Sequence, residues 1–239
     1  MAFSDWAALV GFSSTPQVGT AFLNSSLANP LIIGSTYCRR FEPILTGGIQ
    51  PTVGISAAAT YAGGALVNVP NSKAIRVQGY LRLETAPSVF LATRGIWLAA
   101  KMPSNFFNTG TGLTNNYAVA ITSNAAGAAQ LSLVQGGAAI TSLGAASYSQ
   151  WYGLRLDVFP IGTAADRLIA YRETTLGSGT WTVLADVTVP SPSAGYVPWS
   201  QNRKNGLIVA GRNSGGVPET VAYADLVTVA VGNAPVPVP

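Results

Sequence analysis

From residue 74 onward, apolar and polar positions alternate along the chain. In residues 74–84, Ile75, Val77, Leu81 and Leu83 fall on one face, and Arg76, Gln78, Tyr80, Arg82 and Glu84 on the other. That period of two is the mark of a half-buried strand. A more apolar strand is predicted at 95–102, and residues 103–116 read as a loop. Strands follow at 117–122, 130–134 and 138–143, with Gly136 and Gly137 turning between the last two. The clearest pair comes next: 151–159 alternates Leu154, Leu156 and Val158 against Arg155 and Asp157, Pro160–Ile161–Gly162 turns, and 167–173 returns. Leu176, Gly177, Ser178 and Gly179 then lead into 181–189, whose pattern puts Trp181, Val183, Val187 and Val189 on one face. A Pro/Ser/Gly loop at 190–201 precedes strands at 207–211 and 221–231. No window carries a capped 3.6-residue period; the nearest, Ser4 to Leu9, reads as one capped helical turn. Short strands at regular intervals with Gly/Pro turns predict an all-β sandwich.

The first 73 residues differ. They hold only Asp5, Arg39, Arg40, Glu42 and Lys73 as charges, and strands are suggested at 32–33, 36–41 and 45–46. Residues 47–70 lack a clear pattern and read as a long loop or extended arm, a feature usually reserved for function or intermolecular contact. The end, 233–239, alternates Pro with Val and reads as an extended tail. The predicted organisation is therefore an N-terminal arm with extra strands at 1–73, a sandwich at 74–232 and a tail at 233–239.

Composition removes several chemistries. Charged residues are 9% of 239, against about 25% in an average globular protein. There is no histidine, so no Ser-His-Asp or Cys-His machinery and no HExxH zinc site is available. The single cysteine, Cys38, forms no internal disulfide and reads as a buried structural residue. No loop has the carboxylate spacing of a calcium site, and no glycine cluster is followed by Lys-Ser/Thr and a helix, so these glycines are turns. Neither metal nor cofactor is expected.

Net charge is +4, with no basic run longer than two residues, which argues against nucleic acid. Polar residues interrupt every apolar stretch, so no membrane insertion is expected, and the N-terminus lacks the basic region of a signal peptide. Three long intervals carry no charge at all: between Asp5 and Arg39, Glu42 and Lys73, and Lys101 and Arg155. Surfaces so poor in charge suit subunit contacts, leaving the charged strands at 74–84 and 151–173 to face water.

Two stretches carry a family resemblance. WYGLRLDVFPIGTAADRLIAYRE, residues 151–173, resembles the concanavalin A-like lectin/glucanase (laminin-G-like) jelly roll, in which an aromatic opens a strand of the form W-x-x-L-x-[IVL]-x-V. The closing stretch, 206–231, resembles that superfamily's last strands through Ala222, Tyr223, Asp225, Val227 and Val229. The resemblance spans about residues 75–232 and implies a concanavalin A-like jelly-roll β-sandwich. In its low charge and Ala/Gly/Thr richness, the whole chain is also similar in style to bacteriophage virion proteins.

Glycosidases of that superfamily pair acids as E-x-D-x-x-E, because retaining hydrolysis needs two carboxyl groups about 5–5.5 Å apart. No two of the nine acids here lie two residues apart, so no catalytic residue is carried over and no enzymatic activity is expected. The functional expectation is a virion structural component: a capsid decoration, tail or fibre protein located in the virion. It would act by assembly with itself, as a trimer, and with other virion proteins. The alternative is a carbohydrate-binding module for adhesion to a host surface glycan. For either, the candidate contact residues are Tyr196, Trp199 and Arg203, grouped in the loop at 195–205 with the residue types enriched in interface hot spots.

Overall fold

A computed structural model describes residues 7–10, 21–24, 38–41, 67–84, 95–102, 116–123, 126–136, 138–161, 164–190, 202–210, 213–214, 217–218 and 222–232. All regular structure among them is β. The strands are β1 (Ala7–Val10), β2 (Ala21–Asn24), β3 (Cys38–Phe41), β4 (Val67–Pro70), β5 (Ala74–Leu83), β6 (Gly95–Met102), β7 (Tyr117–Ser123) and β8 (Ala129–Gln135). They continue as β9 (Ala138–Ala145), β10 (Trp151–Ile161), β11 (Ala165–Glu173), β12 (Trp181–Pro190), β13 (Asn202–Ala210), β14 (Asn213–Ser214), β15 (Val217–Pro218) and β16 (Ala222–Gly232).

Two antiparallel sheets pack face to face as a jelly-roll sandwich, the all-β class expected from the sequence. The eight-stranded sheet runs β12-β11-β10-β5-β16-β3-β2, with β1 also on β16; the six-stranded sheet runs β4-β13-β6-β7-β8-β9. β16 lies against β5 along its length, and pairs β3 at Ala222–Ala224 and β1 at Val229–Val231. The N-terminal segment thus adds strands to the same sheet as β16, the last of the described strands. Pairing with β16 also makes Ala7, Ala8 and Leu9 strand rather than the predicted helical turn, since a ladder partner satisfies the backbone that one isolated turn would leave open.

The alternating positions of β5 and β10 account for the core. Ile75, Val77, Leu81 and Leu83 on β5, with Leu154, Leu156 and Val158 on β10, meet Ile96 and Leu98 on β6 and Val119 and Ile121 on β7. The two central strands pair from Trp151↔Arg82 to Val158↔Ile75 without a slip.

Three of the register shifts among the described strands each re-aim a side chain. A bulge adds a residue to one strand and shifts every later side chain to the opposite face. Between Ala170 and Tyr171, the pairing of β11 with β12 slips. Trp181 therefore packs on the outer side with Phe159, Ile169 and Tyr171, while Val187 and Val189 pack on the core. The single face predicted for these residues is split by that slip. In β16, the register shifts between Asp225 and Thr228, where Leu226 has φ 45°. Ala222 and Ala224 point inward before the shift, and Val227 and Val229 after it.

The third break is at Lys101, φ 58°, where the pairing with β13 slips between Lys204 and Gly206. The Lys101 N–H donates to Asn205 Oδ1 at 2.9 Å, and Asn205 Nδ2 donates to the Arg203 carbonyl at 3.0 Å. Thus aimed, the Lys101 side chain crosses the sandwich to Asp166 on β11, Nζ to Oδ1 2.5 Å. This buried pair links the two sheets.

Gly79 shows how tightly the re-phased β16 packs: an added Cβ would lie 2.6 Å from Val227 Cγ2 and 3.0 Å from Val227 Cα. Gly79→Ala is expected to lower stability by about 1–3 kcal/mol through overpacking. Leu226→Gly, which relieves a left-handed backbone, is expected to raise it by about 1 kcal/mol. Denaturant melts of both variants check the opposite signs.

Candidate functional site

The outward faces of β5, β10, β11 and β16 carry most of the described polar and aromatic chemistry, arranged in cross-strand rows. Cross-strand pairing aligns Tyr223, Arg82 and Trp151 in one row. The next holds Asp225, Tyr80, Gly153 and Glu173, and a third holds Thr228, Gln78, Arg155 and Tyr171. A fourth contains Arg76 and Asp157. Sequence pattern supplied the β5 members of these rows and Arg155 and Asp157 on β10; strand pairing across some 70 to 150 residues set β10 and β16 beside β5.

These charges do not simply face water, as expected for strands at 74–84 and 151–173. Asp157 and Glu173 are buried and Arg76, Arg82 and Arg155 nearly so, because each has a polar or charged partner beside it. Arg76 binds Asp157 with both prongs, Nε to Oδ1 2.7 Å and Nη2 to Oδ2 2.7 Å, the strong fork geometry. Arg82 grips Glu84 in the same way, at 2.6 and 3.0 Å.

Arg155 is held differently. Its guanidinium carbon lies 3.8 Å from the centroid of Tyr171 and 5.2 Å from that of Trp181, within cation–π range of both. Its Nε stands 3.5 Å from Asp157 Oδ1, an oxygen already bound by Arg76, and makes no hydrogen bond. The guanidinium is thus held chiefly by Tyr171 and Trp181 and only weakly by its acid. Gln78, directly across from it on β5, adds an amide that both donates and accepts. Two exposed apolar side chains, Val183 on β12 and Leu226 on β16, lie near opposite ends of this row.

In the neighbouring row, Gly153 opens a gap in the central strand. A Cβ there would come within 2.8 Å of both Glu173 Cβ and Oε2, and 3.1 Å of Tyr80 Cε1. The missing side chain lets Tyr80 on β5 and Glu173 on β11 meet over β10. Glu173 is fixed by the N–H groups of Gly177 and Gly179, at 2.9 and 2.6 Å. Burial pushes the Tyr80 hydroxyl up to about 12, helped by its hydrogen bond to Glu173 and by that residue's charge. Tyr80 therefore stays protonated as a donor. Burial, with the Asp157 charge behind it, also raises Tyr171.

The residues singled out from sequence fare unevenly. Arg203 lies on β13 opposite Val69, not in a surface loop, and is 3% exposed; burial pulls its guanidinium below the usual arginine range. The strand begins at Asn202, earlier than the predicted 207, because β4, which the pattern of 47–70 did not reveal, offers a partner. Tyr196 and Trp199 lie outside the described residues. Among the described residues, no group of three or more His, Cys, Asp or Glu is placed to hold a metal. Asp225 and Glu173 stand in one row with two strands between them, so their backbones are about 14 Å apart at the usual strand spacing.

No family model matches the chain, and no curated protein matches it. Solved structures do. The alginate lyase Aly36B, as a mutant in complex with alginate tetrasaccharide, is 14% identical over 84% of this chain and 83% of its own, with a TM-score of 0.47. The PL-14 alginate lyase from Aplysia kurodai is 9% identical over 95% and 98%, TM-score 0.47. Peanut lectin is 9% identical over 95% and 98%, TM-score 0.46. The expectation of a chain without enzymatic activity is corrected by these findings, since enzymes stand among the similar structures. That expectation rested on the missing histidine and acid pair, and neither is required for proton transfer by Tyr or Lys.

The raised Tyr80 hydroxyl has a consequence for stability. The folded chain holds this proton more tightly than the unfolded chain, whose phenol ionises near the ordinary 10.0. The contribution is complete below pH 10 and is lost as pH rises toward about 12. Tyr80→Phe should therefore lose less stability than the parent over that interval, measured by denaturant melts at each pH. Equal losses would mean that Tyr80 is not the group responsible.

Proposed function

We propose that the chain binds a carbohydrate on the outer face of its eight-stranded sheet, and that the sugar carries acidic groups. The observation that supports this most is Arg155, within cation–π range of both Tyr171 and Trp181 and beside Gln78. A pyranose offers an apolar face for aromatic rings and hydroxyls for amides, and an acidic one adds a carboxylate or sulfate that a guanidinium fork matches. Ligand sites commonly combine apolar walls with a few fixed polar groups, which is the make-up of this face. The net charge of +4 favours the approach of an anionic chain.

Assembly into a particle, the first expectation from sequence, has less to stand on. The uncharged interval between Lys101 and Arg155 contains an exposed edge strand, β9. Its pairing with β8 slips twice, and bulges of this kind keep an edge from accepting another strand. None of the similar structures described above is a virion protein, and that placement is not carried further.

Titration calorimetry with a polyuronate and with a neutral glucan of equal length checks the proposal. The polyuronate is expected to bind more tightly, and the preference to shrink as salt rises. Arg155→Ala should weaken polyuronate binding by about tenfold or more, the loss of one charge-assisted hydrogen bond. Equal affinity for both polymers, or no effect of Arg155→Ala, would overturn the proposal. Following the same mixtures for shortening of the polymer reports whether binding leads on to cleavage.

A further inference from the structure

A second concentration of charge lies inside the sandwich, away from the face described above. The side chains of Lys101 and Asp166 are 1% and 0% exposed, with Nζ 2.5 Å from Oδ1. The other carboxylate oxygen, Oδ2, accepts a hydrogen bond from the Tyr117 hydroxyl at 2.8 Å. Asp166 thus has an amine against one oxygen and an acidic O–H against the other. Lys101 reaches this position only through a left-handed backbone (φ 58°) and a bulge, which fix it there. Burial pulls its ammonium below the usual lysine range; the Asp166 charge opposes this and the Arg203 charge adds to it.

We propose that Lys101 and Asp166 condense to an intramolecular amide that joins β6 to β11, and hence one sheet to the other, covalently. A proton first passes from Nζ to Oδ1 along the contact, giving a neutral amine and a neutral acid, the pair that a low-dielectric interior favours. The Nζ lone pair then adds to Cγ of Asp166. Negative charge develops on Oδ2, which lies nearer the Tyr117 hydroxyl (2.8 Å) than the competing Pro190 carbonyl does (3.1 Å), so that O–H can take the role that oxyanion donors play in acyl transfer. The Nζ–Cγ bond forms, the Cγ–Oδ1 bond breaks, and Oδ1 departs as water with two protons that began on the ammonium nitrogen. One ammonium and one carboxylate become one amide and one water, and no oxidant or cofactor takes part. Fixed geometry replaces the encounter of two free groups, the large advantage of an intramolecular reaction. The product also ends the cost of holding two full charges out of water. The proposal stands apart from carbohydrate binding, since none of its residues lies on the outer face.

Mass spectrometry of the full chain under denaturing conditions tests it. The parent is expected to weigh one water less than its sequence, and digestion to yield a branched peptide joining Lys101 to Asp166. Lys101→Arg, which keeps the charge but removes the amine, should show its full sequence mass. Asp166→Asn should close the same bond with loss of one ammonia. A parent chain at full sequence mass after prolonged incubation, with residues 101 and 166 in separate peptides, would overturn the proposal. Tyr117→Phe is expected to slow bond formation severalfold; an unchanged rate would overturn the role assigned to that hydroxyl.

Discussion

Charge that leaves water must be met by charge or hydrogen bonds inside, and in this fold that constraint governs the placement of residues on both faces of the eight-stranded sheet. A chain with nine acids would ordinarily keep nearly all of them in solvent. Here Asp157, Asp166, Glu173 and Asp225 are buried, as are Lys101 and Arg203. Each of the first three has visible compensation: a guanidinium fork for Asp157, an ammonium and a phenol for Asp166, and two backbone N–H groups for Glu173. The scarcity of charge in the sequence is thus not a matter of a bland surface alone. Much of what charge there is serves to order the interior and one sheet face.

Those compensating pairs depend on where the pleat is re-phased. Without the slip between Ala170 and Tyr171, Trp181 would not join Tyr171 on the outer side, and Arg155 would lose its second ring. Without the bulge at Lys101, the amine would not enter the sandwich. Bulges near functional positions commonly redirect side chains in this way. The gap at Gly153 is the complementary device, removing a side chain so that Tyr80 and Glu173 can meet across a strand.

The sandwich was readable from sequence because period-two alternation in 74–84 and 151–159 is a local property that the pleat enforces. Register is not local. Whether Val187 shares a face with Trp181 depends on how β12 meets β11, and nothing in residues 181–189 reports that slip. For the same reason β4 and β2 were missed: four-residue strands with no repeating pattern are made by their partners. Half of the candidate site was legible as the polar face of β5, with Arg76, Gln78, Tyr80 and Arg82 in order. On β10, Arg155 and Asp157 were legible in the same way, but their meeting with Tyr171 and Glu173 on β11 was not; the remaining signal was a glycine, Gly153, inside an otherwise regular strand, which marks close approach of neighbours. Aromatics and cations also cluster in sequence around Trp199, but proximity along the chain does not report which sheet face a residue joins.

A crystal structure of the chain with an acidic oligosaccharide bound decides whether the outer face is the functional one. Sugar is expected along the row of Gln78, Arg155 and Tyr171, with an acidic group on the Arg155 guanidinium. Sugar bound at another surface, with this row empty, would contradict it.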